Sequence, residues 1–260
     1  SAARFAIVET TRHREDMESV RGELPELARI GVLEEGILED LKARGAEISD
    51  EDLESRRTSR RLADVATIIY TSGTTGRPKG AELTHANFVD TTRSAVTLLG
   101  DEVLPTGSRL LMFLPLAHVF ARLITVLAAA WPVTTAFTPD TKNLLPDLAA
   151  FKPTFLLAVP RVFEKVYNGA EAKAIAGGKG KIFAAAAQTA IDYSTALSDG
   201  KVPLPLKLKH ALFDRLVYGT LRGAMGGNVR WAVSGGAPLG ARLSHFFRGI
   251  GVTVLEGYGL

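Results

Sequence analysis

The 260-residue sequence contains no cysteine, which excludes disulfide bonds, thiolate catalysis and cysteine-ligated zinc. The opening residues SAARFAIVE lack the basic segment and long apolar stretch of a secretory signal, so we expect a cytoplasmic location. The most apolar segment, residues 123–137, is interrupted by threonines and Pro132 and is too short to cross a bilayer. It predicts a buried helix followed by a buried strand.

The sequence also lacks a strong excess of one charge. It has 31 Lys and Arg residues against 28 Asp and Glu residues, a net charge of +3, and the two signs are mixed along the chain. No basic patch or stripe is formed, so nucleic acid is not expected as a partner. Hydrophobic residues make up 46% of the chain, which at this length can build one large or two modest domains.

Short β-rich runs alternate with helical patterns along most of the chain. The runs predict strands within residues 4–10, 28–35, 65–71, 108–115, 133–139, 153–160, 228–236 and 252–259. We expect the first of them to be buried. This alternation is typical of βαβ units, so we predict an α/β fold with mainly parallel sheets flanked by helices. Residues 161–226 are the exception, because they read as helical around a small-residue loop, AGGKGK.

A charge-rich stretch suggests where the chain divides. Residues 37–62 carry many charges and few apolar residues, which is typical of a solvated helical connector. We therefore predict a strand–helix–strand unit with this connector at residues 1–62, and a larger core at residues 63–260. The sequence stops directly after a predicted strand, where a parallel sheet seldom ends, so we expect it to be part of a longer protein.

The stretch YTSGTTGRPKG, residues 70–80, places glycines, hydroxyl residues and one lysine directly after a predicted strand. Glycines let backbone N–H groups line a concave turn that suits an anion, and hydroxyls add donors for phosphate oxygens. The spacing is not that of a P-loop, because Arg-Pro separates Gly76 from Lys79 and Gly80 follows the lysine. Composition alone leaves two interpretations: a phosphate-binding loop of another kind, or a Gly- and Thr-rich surface loop.

Three further segments follow predicted strands. LPLAHVFAR (114–122) places His118 where open α/β sheets bind ligands, although a histidine there can also cap the helix or fill the core. AVSGGAPLG (232–240) reads as a strand, a Gly-Gly turn and a helix with Pro238 near its first position. Because glycine has no side chain, a planar base can lie directly against the backbone of that turn. LEGYGL (255–260) ends the sequence.

Together the four segments resemble the adenylate-forming enzymes, a superfamily that includes acyl-CoA synthetases, peptide-synthetase adenylation domains and luciferases. YTSGTTGRPKG is similar to their signature loop, with every glycine, the proline and the lysine in place. The other three segments follow in the family's order. PLAHVF, VPRVFEKVYN and FDRLVYGTLRGAMGG are most similar to the long-chain fatty acyl-CoA synthetases. The resemblance implies a part of the large N-terminal domain of such an enzyme.

The resemblance also implies the reaction: ATP-dependent activation of a long-chain fatty acid to acyl-AMP, release of pyrophosphate, and transfer of the acyl group to coenzyme A. Lys79 would hold the pyrophosphate, and His118 would lie beside the carboxylate and the α-phosphate. Mg²⁺ would bridge phosphate oxygens with Ser72 as a ligand, and Tyr258 would stack on adenine. The implied nucleotide-binding residues are Thr71, Ser72, Gly73, Thr74, Thr75, Gly76, Lys79, Gly235, Gly236, Ala237, Pro238, Glu256, Gly257, Tyr258 and Gly259.

In the family, a Thr and a Glu that touch the α-phosphate and magnesium follow the last segment, and a small C-terminal domain supplies a further lysine. The chain alone is therefore not expected to complete the reaction. Because long-chain acyl-CoA is amphipathic, we also expect transient contact with a membrane surface. Acyl chain length and oligomeric state stay open.

Three other functions are compatible with parts of the sequence. A fatty acyl-AMP ligase would load a carrier protein instead of coenzyme A, but it resembles the chain less well at the histidine segment and at GRPKG. A non-catalytic nucleotide- or acyl-binding domain is disfavoured by the joint presence of Lys79, His118 and Tyr258. A kinase-like phosphotransferase would need an Asp placed as base and a metal-binding pair, and neither is recognisable.

Overall fold

The computed structural model describes residues 2–71, 76 and 78–257 of the chain. They form two compact units, Ser1–Leu62 and Ala63–Leu260. None of the described helices combines the length and the apolar character needed to cross a membrane.

The smaller unit is built on two parallel strands, β1 (Phe5–Val8) and β2 (Arg29–Val32). Its helices are α1 (Thr11–Ser19), α2 (Ile37–Gly45) and α3 (Asp50–Thr58), with 3₁₀ turns at Arg21–Glu23 and Leu33–Glu35. Helices α1 and α3 begin at side-chain caps, because the Thr10 hydroxyl accepts from the His13 N–H and the Ser49 hydroxyl accepts from the Asp52 N–H.

The expectation that the first strand is buried is wrong. The side chains of Phe5 and Ile7 are 38% and 49% exposed, whereas the alternate residues Ala6 and Val8 are half-buried. Strand β1 pairs with β2 alone among the described strands and buries one face only. A run of apolar residues does not reveal how many elements will pack around it.

The larger unit contains a parallel five-stranded sheet with the order β6–β5–β7–β8–β9. Its strands are β5 (Arg109–Met112), β6 (Thr134–Phe137), β7 (Phe155–Ala158), β8 (Trp231–Gly235) and β9 (Thr253–Gly257). The central strand β7 is buried at every position. The mainly parallel α/β fold predicted from the sequence is thereby confirmed, and so are the positions of all eight predicted strands.

Helices cover both faces of this sheet. They are α4 (His85–Val103), α5 (Val119–Ala130), α6 (Leu144–Phe151), α7 (Pro160–Ala176), α8 (Gly180–Ser198), α9 (Leu204–Phe213), α10 (Gly219–Ala224) and α11 (Ala241–Gly249). A π-helical turn, Asp214–Tyr218, joins α9 to α10. The predicted helical character of residues 161–226 is confirmed. The apolar segment at 123–137 does form a helix and a strand, but the strand is not buried, because β6 lies at the sheet edge and Phe137 is 63% exposed.

The core is divided by the sheet into two layers. Alternate residues of β5 point to opposite faces, so Leu111 joins the layer under α7, α8 and α11, while Leu110 and Met112 join the layer under α5. The first layer contains edge-to-face aromatic pairs, including Phe163 with Phe247 at a ring-centroid distance of 5.2 Å. Each large side chain buried in this way contributes about 1.5–3 kcal/mol to stability, which fixes the helices against the sheet.

An antiparallel pair precedes the five-stranded sheet: β3 (Val65–Thr71) and β4 (Lys79–Thr84). Strand β4 is not predicted by the sequence, since KGAELT has little β-propensity and no apolar alternation. Pairing with β3 outweighs that local preference. Helix α4 follows at once and begins with a capping box, in which the Thr84 hydroxyl accepts from the Asn87 N–H and the Asn87 side chain accepts from the Thr84 N–H.

Candidate active site

The carboxyl ends of the parallel strands bring the predicted segments to one edge of the sheet. His118 follows β5, Gly235 ends β8 with residues 236–238 directly after it, and Glu256 and Gly257 end β9. Strands β8 and β9 are direct neighbours, with Ser234 opposite Glu256 and Gly235 opposite Gly257. Ligands in open α/β sheets bind at the carboxyl ends of the strands, which is where these segments lie.

The ring of Phe120 connects the three segments. A Cβ atom added to Gly235 would lie 2.8 Å from Phe120 Cε1, and one added to Gly257 would lie 3.7 Å from Phe120 Cε2. The ring therefore lies across the ends of β8 and β9, in space that a side chain at position 235 would occupy, whereas a Cβ atom at position 257 would make ordinary contact with it. Since Phe120 is two residues from His118, this contact ties the histidine segment to the two glycine segments.

The turn after β8, residues 236–238, is exposed and is fixed by a hydrogen bond to β9. Gly236 has a φ of +85°, which glycine adopts without strain, and residues 236–238 are exposed. The Leu239 N–H donates to Glu256 Oε1 over 3.3 Å, so the carboxylate anchors the far end of the turn. An exposed, fixed backbone of this kind can receive the face of a flat base.

The helix after this turn begins later than expected. Helix α11 starts at Ala241, with Gly240 as its N-cap at a φ of +83°, so Pro238 belongs to the turn and not to the first helical position. The positive φ of Gly240 requires a glycine and delays the helix.

His118 is the N-cap residue of α5, with extended backbone angles of φ −97° and ψ 142°. Its N–H donates to the Pro115 carbonyl over 3.2 Å. The imidazole makes no capping hydrogen bond and is exposed, so the histidine neither caps the helix through its side chain nor fills the core. The imidazole ring is accessible to a ligand at the carboxyl ends of the parallel strands.

The lysine and the first hydroxyl residue of the Gly- and Thr-rich loop face each other at its base. Thr71 ends β3, Lys79 begins β4, and the two are cross-strand partners with exposed side chains. Gly76, with a φ of +86°, lies between them. Ser72, Gly73, Thr74 and Thr75 lie outside the described residues, as do Tyr258 and Gly259. Within the described part of the chain, no group of three or more His, Asp or Glu residues is placed to hold a metal ion.

Sequence reasoning missed the role of Arg122. Its Nε donates to the Leu116 carbonyl over 3.0 Å, and its Nη1 donates to the hydroxyl of Thr67 in β3. One guanidinium therefore ties the turn before His118 to the strand that leads into the Gly- and Thr-rich loop. The signal available in the sequence was a single charged residue on the otherwise apolar helix VFARLITVLAAA, where a half-buried charge needs partners.

Comparison with known proteins identifies the family. Residues 1–260 match the family model described as AMP-binding enzyme. The chain belongs to the AMP-binding enzymes. The predicted resemblance to adenylate-forming enzymes is thereby confirmed.

Two relatives among the AMP-binding enzymes agree with the predicted branch. The chain is 52% identical over 263 residues to the long-chain-fatty-acid–CoA ligase FadD15 of Mycobacterium tuberculosis, matching all of this chain and 44% of FadD15. It is 39% identical over 208 residues to long chain acyl-CoA synthetase 3 of Arabidopsis thaliana, matching 77% of this chain and 30% of that protein. The chain thus spans less than half the length of these relatives.

A solved structure shows the same fold. The inhibitor-bound N-terminal domain of FACL13 from Mycobacterium tuberculosis superimposes with a TM-score of 0.56 at 18% sequence identity, covering all of this chain and 51% of that domain. The parallel sheet and its flanking helices therefore match the N-terminal architecture of an AMP-binding enzyme.

The tie made by Arg122 leads to a prediction for the intact AMP-binding enzyme. Arg122→Met is expected to lower the kcat of the ATP-dependent acid activation that the sequence implies about tenfold to 100-fold, because strand β3 and the turn before His118 lose the contact that joins them. Arg109→Met is the matched control, since Arg109 Nε and Nη2 donate to the Phe151 carbonyl over 3.1 and 2.7 Å at the opposite end of β5. Both variants should lose about 1.5–3 kcal/mol of stability. An equal fall in kcat for the two would make Arg122 purely structural.

A second prediction concerns the glycine under Phe120. Gly235→Ala should force the ring away from the ends of β8 and β9, and calorimetry should find AMP affinity lowered about tenfold, which corresponds to about 1.4 kcal/mol. Gly223→Ala is the control, because no atom lies within 4 Å of the added methyl group. Unchanged AMP affinity for Gly235→Ala would show that the ring position does not matter for the nucleotide.

Proposed function

We propose that the intact protein is a long-chain fatty acid–CoA ligase. The observation that carries this proposal is the contact of Phe120 with the ends of β8 and β9, because it assembles the histidine and glycine segments into one site. Arg122 adds the strand that leads into the Gly- and Thr-rich loop. The names of the two relatives, both long-chain fatty acid ligases or synthetases, support the choice of a fatty acid as substrate.

In the first step of the proposed reaction, a carboxylate oxygen attacks the α-phosphorus of ATP. The bond to the β,γ-diphosphate breaks, pyrophosphate leaves and acyl-AMP remains. The protein contributes mainly positioning and charge stabilisation, as in other transfers at phosphorus. Lys79, exposed at the base of the loop, is the described cation closest in sequence to the phosphate-binding glycines, and its ammonium would stabilise the leaving pyrophosphate.

The adenine would lie on the exposed turn formed by Gly236, Ala237 and Pro238, with Tyr258 stacked on its other face. Glu256 would act indirectly, since its carboxylate accepts the Leu239 N–H and holds the turn. Magnesium would enter with ATP and stabilise charge on the phosphate oxygens, with Ser72 as its protein ligand. The exposed hydroxyl of Thr71 lies at the start of the same loop, in accord with an oxygen-rich site.

In the second step, the thiolate sulfur of coenzyme A attacks the carbonyl carbon of acyl-AMP, and AMP leaves. His118 would meet the carboxylate during the first step, because its imidazole is exposed at the end of β5. There the ring can orient the acyl group and reduce charge repulsion as the carboxylate approaches the α-phosphate.

The test supplies the intact protein with palmitate, ATP and Mg²⁺, together with either coenzyme A or a phosphopantetheinylated carrier protein. We expect palmitoyl-CoA and AMP in equal amounts, and no acylated carrier protein. Acylation of the carrier protein alone would establish the acyl-AMP ligase instead. No AMP with either acceptor, in protein that still binds AMP, would establish a non-catalytic nucleotide-binding domain.

A further inference from the structure

Helix α9 and the π-helical turn after it carry an exposed row of leucines, which we call the leucine ridge. Its members, Leu204, Leu208, Leu212 and Leu216, are 68%, 66%, 57% and 60% exposed. A spacing of four residues places successive side chains on the same face of a helix. The first three leucines therefore lie along one side of α9 and span about 12 Å, at a rise of about 1.5 Å per residue, and Leu216 follows in the π-helical turn.

The opposite face of this segment is fixed to the core. The His210 ring stacks on Tyr193 at a centroid distance of 3.8 Å, and its Nε2–H donates to the Gly249 carbonyl over 2.6 Å. Tyr218 is fully buried, and its hydroxyl donates to the Ala186 carbonyl over 2.7 Å. These contacts prevent α9 from rotating to bury its leucines.

The charges around the ridge are basic. Lys207 and Lys209 are exposed. Successive residues of an α-helix are about 100° apart, so Lys207 lies about 60° from Leu204 on one side of the ridge. Lys209 lies about 100° from Leu208 on the other side. Arg215 is also exposed. The nearby acid, Asp214, is paired with Arg222 at 2.6 Å, and that hydrogen bond lowers the pKa of the carboxyl. An apolar stripe with lysines on both flanks is complementary to an anionic surface.

We propose that the leucine ridge docks on an anionic lipid bilayer, with α9 lying in the plane of the interface. In amphipathic helices that lie on a membrane, leucines are buried at the boundary between the lipid headgroups and the acyl chains. Flanking lysines extend their ammonium groups to the headgroups. The centre of a protein–protein interface is enriched in aromatic residues, and the ridge has none. The expected contact with a membrane is thereby assigned to a particular surface.

The first experiment measures binding of the intact protein, without ATP or fatty acid, to phosphatidylcholine vesicles with and without phosphatidylglycerol. The variant Leu208→Gln/Leu212→Gln should bind at least tenfold more weakly to the anionic vesicles. The variant Lys207→Gln/Lys209→Gln should weaken that binding about tenfold and remove the preference for phosphatidylglycerol. The control is Leu53→Gln, a leucine 61% exposed on α3, which should bind as the unchanged protein does. Equal binding by all variants would overturn the proposal.

A second experiment does not depend on removing the ridge. Because the 260 residues contain no cysteine, Leu212→Cys introduces a single labelling site in this chain for an environment-sensitive dye. Anionic vesicles should shift its emission to the blue and leave a dye at Leu53→Cys unchanged. A dye at position 212 that is already shielded without lipid would mean that another part of the protein or a second copy covers the ridge, and the proposal would be wrong. Since neither measurement requires turnover, they stand apart from the test of the ligase reaction.

Discussion

Lys79→Ala is expected to lower the rate of fatty-acid-dependent ATP–pyrophosphate exchange by the intact protein about 100- to 1,000-fold. This is the usual effect of removing one preorganised group that stabilises charge in a transition state. Lys79 begins β4 opposite Thr71, and its side chain is exposed at the base of the loop. Its ammonium is thus available to a ligand, and its removal should change the free energy of unfolding by no more than about 0.5 kcal/mol.

The control for this prediction is Lys173→Ala, which removes an exposed lysine in the last turn of α7. Its exchange rate should equal that of the unchanged protein. An unchanged exchange rate for Lys79→Ala would remove the lysine from the reaction. A large loss of stability together with the loss of exchange would make its role structural.

Gly249→Ala is expected to have the largest effect on stability. A Cβ atom at this position would lie 2.0 Å from the Ala190 carbonyl oxygen and 2.5 Å from the Ala190 carbonyl carbon. These are backbone atoms of α8, so no rotamer change can relieve the overlap and the two helices must separate. We expect a loss of about 3 kcal/mol in the free energy of unfolding, at the upper end of the range for overpacked cores. Urea denaturation of the intact protein measures it.

The matched substitution is Gly169→Ala in α7, where no atom lies within 4 Å of the added methyl group. Alanine has the higher helix propensity and restricts the unfolded chain, so this variant should gain about 0.4–1 kcal/mol. Two glycine-to-alanine changes in helices of the same unit should therefore have opposite signs. A loss of less than about 1 kcal/mol for Gly249→Ala would contradict the close helix crossing.

The strands of the fold could be predicted because each is a short β-rich run bounded by turn residues. Strand β4 could not, since KGAELT acquires its extended form from pairing with β3. The exposure of β1 and β6 could not be predicted either, because it depends on the order of strands in the sheet. β6 (TTAF) and β7 (FLLA) both have residues typical of strands, but β6 lies at the edge of the sheet and β7 at its centre.

The site divides in a similar way. His118 and the glycine segments are predicted as site residues because their residue types and spacing form recognisable motifs. Phe120 and Arg122 were not, because their roles rest on contacts with Gly235 and Thr67, which are far from them in sequence. Local pattern identifies the groups that we propose to meet the ligand, whereas the residues that hold them together are identified only from the folded chain.

The central claim is that the carboxyl ends of strands β5, β8 and β9 bind an acyl-adenylate. Calorimetric titration of the intact protein tests it most directly. The ligand is a non-hydrolysable palmitoyl-adenylate analogue, with AMP as the control. We expect both to bind and the acylated ligand to bind more tightly, because the site would hold the adenylate and the acyl chain together. No binding of either ligand by the folded protein would contradict the account.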